Sequence, residues 1–439
     1  MTTIRPFRGL RFDPDKYCDL SEVITMPYDR IHEAEQAAYY ALSPYSIAHI
    51  IQGRQTPDDT TENNVYTRAR GYMLNWMAEE VLIADPASAL YVLEQTFTTP
   101  DGVEHTRRGL TTALKLTTFD EGVVLPHEHT LSGPKADRLN LTRATQTHWG
   151  HIFVLYPDEL GAVNELLQPF LDTHMPAIVR DQVIEPQVEQ AFWVVNDDAV
   201  VEAVVAEMAS KQPLIIADGH HRYETALTYR DEMREQHPDA PASAAFNYVL
   251  VTLVSMSDPG LVVLPTHRLI HSYTAMDNKA VLKALGAYFD VAPVADRVAL
   301  EAGLADAVPD HPRFGFYDGD YALLTLKTLD AMAELVPDRD ANWRALDVAV
   351  LHEIIIEHVM GLSKESVERR KNLTYLRDPN EGYGAVDAGE ANFMFLLNAT
   401  RIEQVRACTE AGERMPQKST DFFPKVVSGL VALPLHDTL

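Results

Sequence analysis

The stretch from Leu214 to Arg230, LIIADGHHRYETALTYR, restricts the fold more than any other part of this chain. Residues 214–217 are a short, wholly apolar run of the kind found in a buried strand. Beyond Gly219, Tyr223, Ala226 and Leu227 recur with helical spacing. Asp218 and Gly219 therefore form a strand-to-helix turn, and a buried strand feeding a helix is the building unit of α/β proteins. Glycine at such a turn permits a positive φ or the close approach of a ligand. The helix start offers N–H groups without intrahelical partners and about half a unit of positive charge. An anion, most naturally a phosphate, is what such a start takes. His220, His221 and Arg222 add directed donors to it. Cations at a helix N-terminus oppose the dipole, so the arrangement is mildly unfavourable unless an anion lies nearby. A purely structural reading also exists, with Asp218 as a cap and one histidine as a satisfied core group.

The same alternation continues around the turn. FWVVND reads as a strand, DDAVVEAVVAEMASK as a helix with an acidic start, and YVLVTLVSM and LVVLPTHRLI as two further strands. Upstream, residues 1 to about 85 are mostly helical, and ALYVLEQTFTT–PDG–TRRGLTTALKL is a hairpin. The polar stretch LPHEHTLSGPKADR reads as a loop, with a helix from about Leu139. Beyond about residue 276 a second unit begins, with a hairpin turning on DG in FGFYDGDYALLTLK and an apolar helix, LDVAVLHEIIIEHVMGL, ended by Gly361. We expect residues 1–275 to hold a helical segment plus a nucleotide-binding α/β unit, and 276–439 a C-terminal α/β unit; 439 residues exceed one core of common size.

Composition narrows the partners. With 37 Lys and Arg against 64 Asp and Glu, the net charge is 37 − 64 = −27, which repels nucleic acid and anionic lipid. An anionic ligand must therefore find a local cationic pocket. Two cysteines, Cys18 and Cys408, give no disulfide framework or thiolate metal motif, as expected of a reducing cytosol. The N-terminus has arginines where a signal peptide needs an apolar run, and no apolar run approaches the roughly 18 residues of a membrane span. The expected protein is cytoplasmic, with no nucleic acid or membrane partner; composition leaves the oligomeric state open.

Further polar clusters accompany the turn. HEHTLSGPKADR holds Glu128, a possible acceptor for a hydroxyl proton, and Lys135 and Arg138, which suit a phosphate or carboxylate. His127 and His129 share a face if extended, but two ligands make a weak metal site. LPTHRLI places His267 and Arg268 in an apolar strand, where one must point inward; a buried Arg needs a partner such as an anionic substrate, unless the strand is an edge with Arg268 in solvent. MPQKSTDFFPK concentrates Lys418, Ser419, Thr420 and Lys425 in a loop, where a lysine followed by two hydroxyls can grip phosphate oxygens, or form a plain turn.

IADGHHRYETAL, MPYDRI, HEHTLSGPKADR, LPTHRLI and MPQKSTDFFPKVVSGL together resemble the family known as domain of unknown function 1015, along nearly the whole chain. More distantly, the DGHHR turn is similar to the phosphate-binding turn of the ParB and sulfiredoxin-like fold, whose free serine kinases phosphorylate L-serine with ATP or ADP. That resemblance implies a ParB/sulfiredoxin-like nucleotide-binding unit in which Gly219, His220, His221 and Arg222 meet nucleotide phosphates. Asp218 would face the transferred group and hold Mg2+ or orient the hydroxyl, and Lys135, Arg138, His267, Arg268, Lys418, Ser419 and Thr420 would contact the substrate. The kinases use an upstream glutamate as base; Glu128, Glu94 and Asp29 all lie upstream, and Glu128 is the candidate taken first. The expected function is nucleotide-dependent phosphotransfer to a small hydroxy compound, with free L-serine or its reverse from phosphoserine as the leading case. The alternatives are a nucleotide-gated binding protein of the same superfamily and a His/Asp metal-dependent hydrolase.

Overall fold

The computed structural model describes residues 1–17, 19–128, 132–306, 310–369 and 371–439; the expectations for Cys18 and His129 lie outside the described residues. The chain packs as two compact units. One comprises Met1–Pro126, Thr130–Val262 and Pro424–Leu439, the other His127–His129 and Val263–Phe423. The division thus falls at 262/263 instead of near 276, and the last sixteen residues return to the first unit, where Leu433 and Pro434 pair with His148 and Thr147. A boundary read from composition cannot register such a return, because it depends on pairing between residues far apart in the chain.

The first unit is built on a nine-stranded mixed sheet: β1 (Ile4–Arg5), β2 (Leu90–Thr98), β3 (Glu104–Lys115), β4 (Val124–Pro126), β5 (Ile152–Tyr156), β6 (Ala177–Arg180), β7 (Glu189–Val195), β8 (Leu214–Asp218) and β9 (Tyr248–Ser255). The strand order is β4-β8-β5-β9-β3-β2-β7-β6, with β1 on β3. The expected hairpin is β2–β3, antiparallel with Thr98 opposite Glu104. The apolar run LIIA lies inside the sheet, parallel to β4 and antiparallel to β5, so both faces of the strand are buried. Its helices are α1 (Glu33–Leu42), α2 (Ala48–Ile51), α3 (Val65–Ala78), α4 (Ser132–Thr145), α5 (Ala162–Leu171), α6 (Asp198–Met208) and α7 (His220–Gln236). α1 to α3 close a separate apolar core around Tyr39, Trp76 and Trp149.

α4 starts at Ser132, seven residues before the helix expected from Leu139. Its first two turns, SGPKADR, carry no large apolar residue, so hydrophobic periodicity is silent there. Pro134 falls in the first turn, where a missing N–H has no intrahelical partner to lose. Lys135 and Arg138 therefore stand on a helix and not in a loop.

The second unit has a six-stranded antiparallel sheet of β10 (His267–Ile270), β11 (Phe289–Val294), β12 (Arg313–Tyr317), β13 (Tyr321–Leu326), β14 (Leu373–Leu376) and β15 (Phe393–Leu396), in the order β11-β13-β12-β15-β10-β14. The DG hairpin is β12–β13. β10 lies between β15 and β14, which removes the edge-strand reading of LPTHRLI. The apolar helix before Gly361 begins as α-helix at Asp347 and continues as a π-helix over Leu351–Val359. Together the units make a mixed α/β protein.

Candidate functional site

The turn after β8 begins with a bulge. Pairing of β8 with β5 shifts register between Ile216 and Asp218, which sets Asp218 opposite Phe153 at the strand's end. A bulge re-aims the side chain that follows it. Gly219 then takes φ +95°, a left-handed conformation that L side chains rarely adopt, and caps α7 without a side chain of its own. α7 is held to the sheet by its buried face: Tyr223 is fully buried and its hydroxyl donates to the Thr117 carbonyl at 2.8 Å.

Arg222 folds back over the turn. Its guanidinium donates to Asp218 Oδ2 at 2.5 Å and to the His151 carbonyl, and it lies so close to Gly219 that a Cβ there would come within 3.1 Å of Nε. Gly150 flanks it on another side, at 3.3 Å for the corresponding Cβ. Lys425 approaches the other oxygen of Asp218 at 3.8 Å. One carboxylate thus sits between two cations next to a helix N-terminus. His220 is buried, while burial and the charge on Lys135 lower the pKa of the half-exposed His221.

α4 packs along α7 and brings its own cations to the same part of the unit. Lys135 pairs with Glu224 of α7. Arg138 donates to Asp137 through Nε at 2.8 Å and to the Ile51 carbonyl at 2.7 Å, and lies over the Tyr28 ring, 4.0 Å from its centre. Tyr28 belongs to MPYDRI, and the charges of Arg222, Arg138, Asp29 and Asp218 all act on its hydroxyl, whose pKa burial raises. MPYDRI, KADR and ADGHHR therefore converge, joined by Lys425 from the fifth motif. The cations bring no surplus of charge, since Lys135, Arg138 and Arg222 each have a carboxylate partner. An incoming anion must exchange partners with them.

Arg138 and Arg222 line a cavity of about 50 Å³ together with Thr142, His148, Gly150 and Ser428. A larger pocket of about 560 Å³ shares Tyr28, Ile51, Arg138 and Leu141 and extends along Gln36, Gln52 and Tyr66. His148 is about nine-tenths buried, and its Nδ1 has no hydrogen-bond partner among the described residues. Burial lowers its pKa to about 4. The sequence reading passed over His148, Gly150 and His151; two histidines flanking Trp-Gly ahead of an apolar strand were the available signal.

The remaining motif residues gather in the second unit. Ser419 N–H donates to Glu128 Oε1 at 3.2 Å, and His127 Nε2 lies 2.8 Å from Thr420 Oγ1. Arg268 is fully buried, and its guanidinium donates to the Thr266 carbonyl and, at 3.1 Å, to the carbonyl of Lys418, which has φ +59°. It also lies over the Tyr375 ring, and burial lowers its pKa to about 10. His267 is buried too, its pKa lowered to about 4. Arg268 thus donates to the main-chain carbonyls of Thr266 and Lys418 and holds the Lys418 loop, while its Nε makes no hydrogen bond among the described residues.

Asp218 is the residue expected to hold Mg2+. Its carboxylate is engaged by Arg222 and Lys425, and among the described residues no three His, Cys, Asp or Glu side chains gather as metal ligands. Of the other upstream carboxylates, Glu94 is held by Arg108 at 2.9 Å, whereas Asp29 acts on His221 and Tyr28.

Fold and geometry together define a mixed α/β protein with a strand–turn–helix at Gly219 in its first unit. Residues 4–349 match the model of the protein of unknown function DUF1015, and the chain belongs to that family. Among solved structures, a conserved hypothetical protein from Pyrococcus furiosus is similar at 13% identity, covering 75% of this chain and 97% of its own, with a TM-score of 0.35. A free serine kinase variant in complex with AMP is similar at 12% identity, covering 73% of this chain and 92% of its own, with a TM-score of 0.36. SbnI from Staphylococcus aureus, truncated at its C-terminus, is similar at 10% identity, covering 73% of this chain and 87% of its own, also with a TM-score of 0.36. No curated protein matches the chain. No helix among the described residues is long and apolar enough to cross a membrane.

Proposed function

We propose that this protein binds ATP or ADP by its phosphates at Gly219 to Arg222 and transfers a phosphoryl group to a small hydroxy compound, with free L-serine the leading case, or runs the reverse from phosphoserine. The observation that carries the reading is the Asp218 carboxylate held between Arg222 and Lys425 at the start of α7. The turn is built for an anion, and Asp218 supplies one internally. A nucleotide phosphate takes over Arg222 from Asp218, which frees the carboxylate to orient the substrate hydroxyl. The nucleoside end has room in the pocket beside Tyr28, Gln36 and Tyr66, whose volume lies in the usual range for small-molecule sites. In the transfer, the hydroxyl oxygen bonds to phosphorus as the bridging P–O bond of the nucleotide breaks, and the hydroxyl proton passes to Asp29. Such chemistry depends mainly on positioning and charge neutralisation.

The test incubates the purified chain with ATP or ADP and L-serine, and separately with phosphoserine and ADP or AMP, following phosphoserine by phosphorus NMR. Formation or loss of phosphoserine supports the reading; loss of turnover in Asp29→Asn identifies the base. Nucleotide binding without turnover in any combination rejects phosphotransfer to serine and leaves a nucleotide-gated binding protein.

A further inference from the structure

Gln190, Gln95 and Arg107 stand side by side on three adjacent strands of the first unit. Gln190 of β7 is opposite Gln95 of β2, and Gln95 is opposite Arg107 of β3. Each is 1% exposed, so a polar row crosses the buried interior of the sheet. Desolvating three polar side chains, one of them charged, is costly unless they are hydrogen-bonded. Well-packed apolar residues often hold such a place as well or better. The row is therefore explained by what its hydrogen bonds reach.

Those bonds end on the main chain at 424–425. The Arg107 guanidinium can only donate, and it donates to Gln95 Oε1 and to the Pro424 carbonyl. With Oε1 so engaged, the Gln95 amide must turn its NH2 the other way. There Nε2 donates to Gln190 Oε1 at 2.9 Å and to the Lys425 carbonyl at 3.0 Å. Arg107 thus holds Pro424 directly and Lys425 through the orientation of Gln95. Its guanidinium also lies over the Phe153 ring, 4.5 Å from the centre, and Phe153 is the residue opposite Asp218 at the bulge of β8. Burial lowers the Arg107 pKa to about 9, which leaves it charged at neutral pH. The Lys425 side chain is 13% exposed, and its Nζ stands 3.8 Å from Asp218 Oδ1. A lysine stem is flexible, so the place of its ammonium depends on what fixes the main chain that carries it.

We infer that Arg107 and Gln95 are positioning residues: they anchor the main chain at 424–425 and so hold the Lys425 ammonium at the Asp218 carboxylate. Only the consequence for nucleotide affinity rests on the phosphotransfer reading. Limited acetylation of the full chain with acetic anhydride, read by mass spectrometry, tests the anchoring itself. Lys211 is the internal control, because it lies in the same unit, is 15% exposed and pairs with Asp158 at 2.9 Å. Arg107→Met and Gln95→Leu should each raise Lys425 labelling about fivefold, as expected of a local opening, and leave Lys211 unchanged. Circular dichroism establishes that the variants are folded; if Arg107→Met is not, Gln95→Leu decides alone. Unchanged Lys425 labelling in either folded variant would overturn the inference, and so would an equal rise at Lys211, which marks general loosening. Titration with ATP supplies a second readout. Arg107→Met or Gln95→Leu should weaken ATP binding about fivefold in the native background and leave it unchanged in a Lys425→Met background. An equal loss in both backgrounds would show that the row does not act through Lys425. Absence of ATP binding by the native chain would sink the phosphate reading, while the labelling still decides the anchoring.

Discussion

Asp218 occupies the two cations, Arg222 and Lys425, that the proposed phosphate would use, and this gives its substitution a signature that a merely structural carboxylate lacks. Asp218→Asn keeps the shape of the side chain and removes the charge that competes for Arg222 and Lys425. A hydrogen bond to a charged group contributes about 1.5–3 kcal/mol. Weakening that internal competitor should tighten ATP or ADP binding, by up to about tenfold, the factor equal to 1.4 kcal/mol. Phosphoryl transfer should fall in the same variant, because the hydroxyl loses the group that orients it. Calorimetry and turnover on one preparation read the two effects; weaker nucleotide binding in the folded variant would count against the phosphate site. Arg222→Ala should move affinity the other way, losing about 1.5–3 kcal/mol. It also removes the contact to the His151 carbonyl, so its thermal transition must be recorded beside its affinity.

At the scale of elements, the sequence was most legible where burial and period coincide. LIIA, the β2–β3 hairpin and the DG hairpin stand where their patterns put them, since a strand buried on both faces or alternating between faces leaves a direct mark on residue order. The start of α4 left none, because a polar helix start resembles a loop in composition. Arg268 left no mark for a different reason: it donates to the carbonyls of neighbouring Thr266 and of distant Lys418, and carbonyls have no residue signature. The π-helix was legible only as an apolar helix, yet it yields a pH prediction. Glu357 has a folded pKa of about 7 against an ordinary 4.5, so the folded state holds its proton more tightly. That stabilisation is complete below about pH 4.5, declines as pH rises and is gone above about pH 7. The groups that set it are Glu353, which opposes ionisation, and Lys364, which favours it. Glu357→Gln should therefore match the wild-type melting temperature at pH 5 and exceed it at pH 8, by about 2–4 °C for each kcal/mol of ionisation cost removed. Equal melting temperatures at pH 8 would show that the carboxyl ionises without strain.

For the molecule as a whole, the distribution of charge decides which polyanions it can meet. The net charge is −27, and around the α7 turn Lys135 faces Glu224, Arg138 faces Asp137 and Arg222 faces Asp218. Duplex DNA presents one phosphate per roughly 1.7 Å of axis, and affinity for it comes from basic side chains that release condensed counterions. Cations already neutralised one by one offer little such release, and the surrounding field adds repulsion. A single nucleotide differs, because two or three phosphates can exchange partners at one turn without opposing the field along a whole surface. We therefore expect nucleotide binding without meaningful affinity for double-stranded DNA at physiological salt. Fluorescence anisotropy of a labelled duplex, titrated at low and at physiological salt, separates the cases. Flat titrations to micromolar protein at physiological salt are expected. Sub-micromolar binding that weakens steeply with salt would reveal a basic stripe that these ion pairs do not predict.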